Sequence, residues 1–166
     1  MKTNSDPKSS RAPAISRAAD ERPTLTVRRT ETLRDYAACV VIRYRVFVVA
    51  QNVPGDLEID HHEDTSVHYL ALDGETPVGT ARYRILGDDT AKIERMAVLP
   101  EHQQSGVGTA LVQRVMADLK ALRAITTIKA GAQTHAIAFY ERFGFEAMGP
   151  EYLDAGIPHR DIVMRA

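Results

Sequence analysis

Alternating apolar and polar residues predict strands in the first half of the chain and again near its end. Leu25 and Val27 alternate with threonine and arginine over 24–29, which is typical of a half-buried edge strand. Three further runs, separated by turn sequences, predict an antiparallel meander: 68–74, 78–85 and 91–98.

A helical period of three and four residues appears in three other segments. The first predicted helix follows Thr30, its expected N-cap, and ends before Gln51. Its core-facing stripe is predicted to be Leu33, Ala37, Val40, Val41, Tyr44, Phe47 and Val48, with Arg43 outside it. Two further helices are predicted at 106–122 and 133–142.

A β-branched strand at 124–129 follows the second helix, and a crossover of this length places it parallel to 91–98. Two last strands are predicted at 145–148 and 161–164. This order predicts an α/β fold with a mixed sheet and flanking helices.

Length and composition set limits on the organisation of the chain. The 166 residues fit one domain, and residues 1–23, rich in polar residues and proline, are predicted to be a disordered tail before a folded domain at 24–166. A formal net charge of −1 provides no global field for nucleic acid or an anionic membrane, so neither is expected as a partner. The longest apolar run, 37–50, is too short to span a bilayer. The lone Cys39 fits a reducing compartment, and a cytoplasmic protein is expected.

Two glycines at the start of the second predicted helix point to an anion site. Gly106 and Gly108 allow a ligand to approach the backbone, and first-turn N–H groups lack partners at the positive end of the helix dipole. A dinucleotide fingerprint would need a small residue where Leu111 stands, and a nucleotide triphosphatase loop would need a Gly-Lys-Ser/Thr that is absent. The alternative is that these glycines only shape a tight connection.

Three separated motifs resemble the N-acetyltransferases of the GNAT family, and within them the small bacterial ElaA/YjcF-type group. They are Arg95–Val98, the segment Gln103-Gln104-Ser105-Gly106-Val107-Gly108, and the run from Ala138 to Phe145. The likeness to the group lies in Val46–Val49, Gln51–Pro54 and Ala155–His159. The chain departs from the pattern at Gln104, where a glycine is common, and at Ala50, where the group often has glutamate.

The resemblance implies a mostly antiparallel sheet whose central parallel strands splay around acetyl-coenzyme A. Backbone groups of Met96, Ala97 and Val98 would then bind the pantetheine arm, as an added strand does. The pyrophosphate would lie on the segment of Gln103, Gln104, Ser105, Gly106, Val107, Gly108 and Thr109. Gln133 would contact pantetheine and Arg142 the adenosine phosphates.

Acetyl transfer to an amine first requires a neutral nucleophile, since an alkylammonium with a pKa of about 10.4 is almost fully charged at pH 7. Glu94 is the first candidate base, because strand alternation places it on the face of Met96 and Val98. The alternative is that Glu94 only pairs with Arg82, Arg84 or Arg95. Glu58, Asp60 or water then remains as the proton acceptor.

The departing thiolate also needs a proton, and Tyr140 is protonated at neutral pH. The resemblance assigns it this role, while the alternative is a buried core tyrosine.

The segment 56–68 supports two interpretations. Histidines 61, 62 and 68 stand beside acids, but their spacing matches no closed zinc pattern, so no metal is expected. By the resemblance, the segment walls the acceptor side, where some of its acids would recognise a cationic amine.

Together these features predict an acetyltransferase that acts by direct attack of a primary amine of a small molecule or peptide. The rival is a non-catalytic coenzyme A-binding sensor or partner module, which Ala50 keeps open. The sequence also leaves open whether the chain forms a homodimer.

Overall fold

The computed structural model describes residues 24–165. The predicted tail, 1–23, lies outside these residues. The described elements follow the predicted order: β1 Leu25–Arg29, α1 Leu33–Arg43, β2 Val67–Asp73, β3 Thr76–Ile85, β4 Thr90–Val98, α2 Val107–Ala121, β5 Thr127–Gln133, α3 Ile137–Glu141, β6 Glu146–Asp154 and β7 Ile157–Arg165. A π-helix, Tyr44–Ala50, continues α1, and short 3₁₀ turns lie at Gly55–Leu57, Pro100–His102 and Thr134–Ala136.

The strands form a seven-stranded sheet in the order β1-β2-β3-β4-β5-β7-β6. Within it, β4 and β5 are parallel and every other neighbouring pair is antiparallel. This confirms the predicted mixed α/β class, the meander and the edge position of β1. The last two strands are longer than predicted, because β6 and β7 form one hairpin around a turn at Ala155-Gly156.

Two apolar clusters lie on opposite faces of the sheet. The larger one contains the buried side of α2 with Tyr140 and Phe145. The smaller one lies under α1, where Cys39, Ile42 and Val46 pack against Leu70, Ala97 and Leu99. We call these the α2 face and the α1 face. No helix among residues 24–165 is both long and apolar enough to cross a membrane.

The start of α1 differs from the prediction. Its N-cap is Thr32, not Thr30: the Thr32 hydroxyl accepts a hydrogen bond from the backbone N–H of Asp35 at 3.1 Å. The Asp35 carboxylate accepts in return from the N–H of Thr32 at 3.3 Å, which completes a capping box. Arg28 holds the same carboxylate from β1 with two hydrogen bonds, so the cap also ties the helix to the sheet.

The predicted apolar stripe of this helix is wrong. Leu33 and Val41 are 82% and 58% exposed, whereas Arg43, predicted to lie outside the stripe, is fully buried. The buried face instead consists of Asp35, Cys39, Ile42 and Arg43. Apolar periodicity misled the prediction, because a guanidinium enters a protein interior when carboxylates on another segment neutralise it.

Strand β4 contains a bulge at Arg95, whose φ is +51°. In the pairing with β3, Thr80 faces Ala97 but Arg82 faces Glu94, so β4 carries one extra residue there. Ile93 before the bulge points to the α2 face, and Ala97 after it points to the α1 face. The predicted shared face of Glu94, Met96 and Val98 is therefore wrong. Glu94 lies on the α1 face, while Met96 and Val98 pack against the α2-face cluster.

Candidate active site

The central parallel strands separate partway along their length. β4 and β5 are paired from Thr90 with Thr127 to Ile93 with Ala130. Beyond that point β4 continues to Val98 and β5 to Gln133, with no further pairing between them. The backbone groups of Glu94–Val98 that point toward β5 therefore have no partner on that strand. This opening is the predicted splay.

The connection from β4 to α2 contains two residues with positive φ, Gln104 and Gly106. Gly106, the N-cap of α2, has a φ of +90°, and a Cβ added there would meet nothing within 4 Å. Gln104 has a φ of +63°, a conformation that favours glycine, so the glutamine keeps the loop shape expected of a glycine. At the N-terminus of α2, the first backbone N–H group that donates within the helix is that of Ala110, which bonds to the Gly106 carbonyl. The preceding amides of the first turn lie open at the positive end of the helix.

Close packing fixes where this helix begins. A Cβ on Gly79 of β3 would lie 2.7 Å from Cγ1 of Val107, so the glycine lets α2 approach the sheet. Gly108 faces Phe139 of α3, whose Cζ would lie 3.4 Å from an added Cβ. The amide Nε2 of Gln103 donates to the Val98 carbonyl at 3.4 Å, which joins the loop to the end of β4.

Tyr140 lies on α3 and belongs to the apolar cluster on the α2 face. Its side chain is 8% exposed and packs edge to face against Phe139 and Phe145. Burial raises the pKa of Tyr140 to about 12. The hydroxyl therefore keeps its proton throughout the neutral range.

Two other residues predicted to contact the cofactor are Gln133, at the end of β5, and Arg142, the C-cap of α3. The Nε2 atom of Gln133, at the end of β5, donates to Oε1 of Gln51 at 2.9 Å, so the end of β5 is tied to the segment that follows the π-helix. Arg142 is exposed, with its guanidinium carbon 5.2 Å from the centre of the Phe139 ring.

Glu94 is bound by three cations. Its Oε2 accepts from Arg82 Nη2 at 2.9 Å and Arg84 Nε at 2.8 Å, and Lys92 Nζ lies 3.3 Å from Oε1. Burial opposes ionisation, but the hydrogen bond from Arg84 and the charge of Arg82 outweigh it and lower the pKa of Glu94 to about 2. The carboxylate is therefore ionised across the physiological range.

Three acids of the segment 56–68, Glu58, Asp60 and Glu63, are also held by arginine. Arg43 binds both Glu58 and Glu63, and Arg82 binds both Asp60 and Glu63. Both guanidinium groups are at most 1% exposed. This buried network anchors the segment to the α1 face, and these three carboxylates face arginines of the fold.

The rings of His61 and His62 lie against each other, with centres 3.9 Å apart and planes tilted by 46°. Within 24–165, no group of three or more histidine, cysteine or acidic side chains is arranged to hold a metal ion.

Sequence reasoning missed two polar residues of the C-terminal hairpin. Tyr152 and Asp161 lie on the α1 face beside β5, and the Tyr152 hydroxyl lies 2.7 Å from the position of a Cβ on Gly131. An isolated glycine within a strand signals such a close approach. The signal was lost because the predicted strand stopped at residue 129, whereas β5 continues to Gln133.

Comparison with known proteins identifies the class to which this fold and site belong. Residues 31–145 match the acetyltransferase (GNAT) family model. The uncharacterized N-acetyltransferase YjcF of Bacillus subtilis is 40% identical over 119 residues, which cover 71% of this chain and 84% of that protein. Protein ElaA of Escherichia coli is 30% identical over 125 residues, or 74% and 82% of the two chains.

Solved structures agree with the sequence matches. The crystal structure of Escherichia coli ElaA has a TM-score of 0.77 at 24% identity and covers 85% of this chain and 99% of its own. A GNAT acetyltransferase from Elizabethkingia anophelis, solved with acetyl-CoA bound, has a TM-score of 0.66 at 18% identity and covers 86% and 98%. The chain belongs to the acetyltransferase (GNAT) family and is similar to ElaA and YjcF.

Proposed function

We propose that the protein transfers the acetyl group of acetyl-coenzyme A to a primary amine of a small molecule or peptide. The observation that carries this proposal is the opening between β4 and β5 beyond Ile93 and Ala130, with the open amides of α2 beside it. A pantetheine arm is long, narrow and rich in amides, so it suits a gap edged by unpaired strand backbone. The free space at Gly106 suits a pyrophosphate.

The buried, free thiol of Cys39 supports a cytoplasmic location.

In the proposed contacts, the backbone of Met96, Ala97 and Val98 binds the pantetheine arm, which Gln133 also contacts. The first-turn amides and the loop before them hold the pyrophosphate, and Arg142 binds an adenosine phosphate. The segment that binds the pyrophosphate consists of Gln103, Gln104, Ser105, Gly106, Val107, Gly108 and Thr109.

Starting from an ammonium group, acetyl transfer removes two protons from the nitrogen and supplies one to the sulfur. The amine nitrogen attacks the thioester carbonyl carbon, and the C–S bond breaks after the C–N bond forms. Tyr140 gives its hydroxyl proton to the leaving sulfur, and through water it recovers the proton that the nitrogen loses after the C–N bond has formed. The ammonium loses its proton to water at the carboxylate of Glu94. Because the pKa of Glu94 is about 2, this carboxylate orients the water and the proton moves on to solvent.

Coenzyme A binding to two variants of one residue tests the proposed pyrophosphate site. Gly108→Asp adds bulk and negative charge beside the proposed pyrophosphate, whereas Gly108→Asn adds nearly the same bulk without the charge. Isothermal titration should detect coenzyme A binding to the wild type, weaker binding to the asparagine variant and at least tenfold weaker binding again to the aspartate variant. Equal coenzyme A affinities for the two variants would show that the pyrophosphate does not bind at the N-terminus of α2.

A further inference from the structure

The helices leave part of one face of the sheet uncovered beside the opening. α1 packs on β2, β3 and β4, while α2 and α3 bury their side chains on the opposite face. On the α1 face, Gly131 of β5 and Asp161 of β7 are exposed. The opening is therefore accessible from the α1 face of β5 and β7.

Glu94, Gly131 and Asp161 form one row across the mouth of this opening. Gly131 is the register partner of Asp161. Glu94 and Gly131 are the first residues beyond the last paired positions, Ile93 and Ala130. Because Ile93 and Ala130 point to the α2 face, their successors point to the α1 face. Neighbouring strands lie about 4.8 Å apart, so Glu94 and Asp161 stand about 10 Å or more apart, with the opening between them.

The side chain of Tyr152 reaches across β7 toward the opening. Its ring stacks on His159, with centres 6.0 Å apart and 21° between the planes. Its hydroxyl donates to Oδ1 of Asp161 at 3.1 Å and lies 2.7 Å from the position of a Cβ on Gly131. Any side chain at Gly131 would displace this hydroxyl. The hairpin and the glycine thus place a hydroxyl and a carboxylate side by side at the mouth.

Asp161 differs in charge balance from the other acids nearby. Glu94 contacts three cationic side chains, and Asp60 and Glu63 are each bound by arginine. Among residues 24–165, Asp161 forms no ion pair and accepts one side-chain hydrogen bond, from Tyr152. A carboxylate has about four acceptor positions, so most of those of Asp161 face solvent at the mouth.

We propose that Asp161 and the Tyr152 hydroxyl bind a second cationic group of the acceptor, which makes the acceptor an aliphatic diamine or polyamine. The reacting amine must be neutral when it attacks, so the group held at Asp161 is one that stays charged. Its N–H groups donate to the free carboxylate oxygen positions and to the phenol oxygen. The distance across the row suits a short chain between the two nitrogens. This inference rests on the proposed acetyl transfer and names its acceptor class.

Putrescine and aminobutanol test this assignment, because they have the same chain length and differ in one terminal cation. Initial rates of thiol release would be measured with acetyl-coenzyme A for the wild type, Asp161→Asn, Tyr152→Phe and Glu146→Gln. The wild type should prefer putrescine in kcat/KM by about tenfold to a hundredfold, the usual range for one charge-assisted hydrogen bond, and mainly through KM.

Asp161→Asn should abolish this preference by raising KM for putrescine, with the values for aminobutanol and acetyl-coenzyme A unchanged. Tyr152→Phe should lose part of the preference for putrescine. Glu146→Gln is the matched control and should behave as the wild type, because Glu146 is an exposed acid of the same hairpin that faces Val163.

Two results would overturn the inference: a wild type without the preference, or an asparagine variant that keeps it. Coenzyme A titration, run in parallel, separates failure of the inference from failure of the function. If coenzyme A binds and neither amine is acetylated, the acceptor class is wrong while the cofactor site stands. If the wild type does not bind coenzyme A, the proposed function itself is wrong.

Discussion

Arg82 and Glu94 join two neighbouring strands through a buried ion pair, with Nη2 of the arginine 2.9 Å from Oε2 of the glutamate. Their side chains are 1% and 10% exposed. The same guanidinium binds Glu63 at 2.8 Å, so one buried cation connects β4 to the segment before β2. The stability of this network depends on both glutamates being ionised.

The network predicts acid sensitivity. Burial opposes ionisation of both Glu94 and Glu63, but their arginines lower each pKa from an ordinary value of 4.5 to about 2. A lowered pKa in the folded state stabilises the protein above pH 4.5, and this stabilisation is lost as the pH falls toward 2. For Glu94 the loss is about 3 kcal/mol. Urea unfolding at pH 7, 4 and 3 should show this decline, with a smaller slope for Glu94→Gln. A variant slope equal to that of the wild type would contradict the coupling.

Removing the arginine on α1 should destabilise the fold strongly. Arg43→Met leaves Glu58 and Glu63 without their shared cation, and breaking a buried ion pair in this way costs about 3 to 5 kcal/mol. Arg45→Met is the control, since Arg45 and its partner Glu101 are each 49% exposed, and it should cost less than about 1 kcal/mol. The measurement is the free energy of unfolding in urea. Similar losses for the two variants would mean that burial at Arg43 does not matter.

The close contact between β3 and α2 predicts a second sensitive position. In Gly79→Ala the new Cβ would lie 2.7 Å from Val107 and 3.2 Å from the Ala97 carbonyl, so we expect a loss of about 1 to 3 kcal/mol. Gly87→Ala introduces a methyl with nothing within 4 Å and should change stability by less than about 0.5 kcal/mol. Thermal unfolding of both variants checks this. A neutral Gly79→Ala would show that α2 moves freely on the sheet.

Tyr140→Phe should slow chemistry and leave binding intact. The ring still fills its place between Phe139 and Phe145, while the proton for the leaving sulfur is lost. Single-turnover acetyl transfer should fall by about a hundredfold or more, with coenzyme A affinity unchanged. Tyr83→Phe, at another buried tyrosine of the same cluster, should leave the rate unchanged. Equal rates for the wild type and Tyr140→Phe would assign Tyr140 to the core alone.

The sequence predicted the element order, the meander and the position of α2, because these follow from periodicity and from turn residues. It predicted the wrong face for Glu94. Simple alternation along a strand assumes regular pairing, and the bulge at Arg95 reverses it. It also placed α1 with the wrong side inward. The buried partners of Arg43 lie on a separate segment that no local pattern connects to it.

The site was predictable in part for similar reasons. The Gly106 and Gly108 turn has a local signature, since backbone conformation and open amides depend on neighbouring residues. Tyr152 and Asp161 depend on the pairing of three strands distant in sequence, and only the register brings them to Gly131. Gly131 was the one residue whose local sequence indicated that contact.

The most direct test of the proposed acetyl transfer is thiol release from acetyl-coenzyme A by the purified protein, with and without amines, together with mass spectrometry of the amine. If the protein is an N-acetyltransferase, thiol release should depend on the amine and equal the amount of N-acetylated product. A panel of polyamines, amino sugars and peptides covers the proposed acceptors. If the protein binds coenzyme A but releases no thiol with any of these amines, the proposed acetyl transfer is wrong and the protein is a coenzyme A-binding module without catalysis.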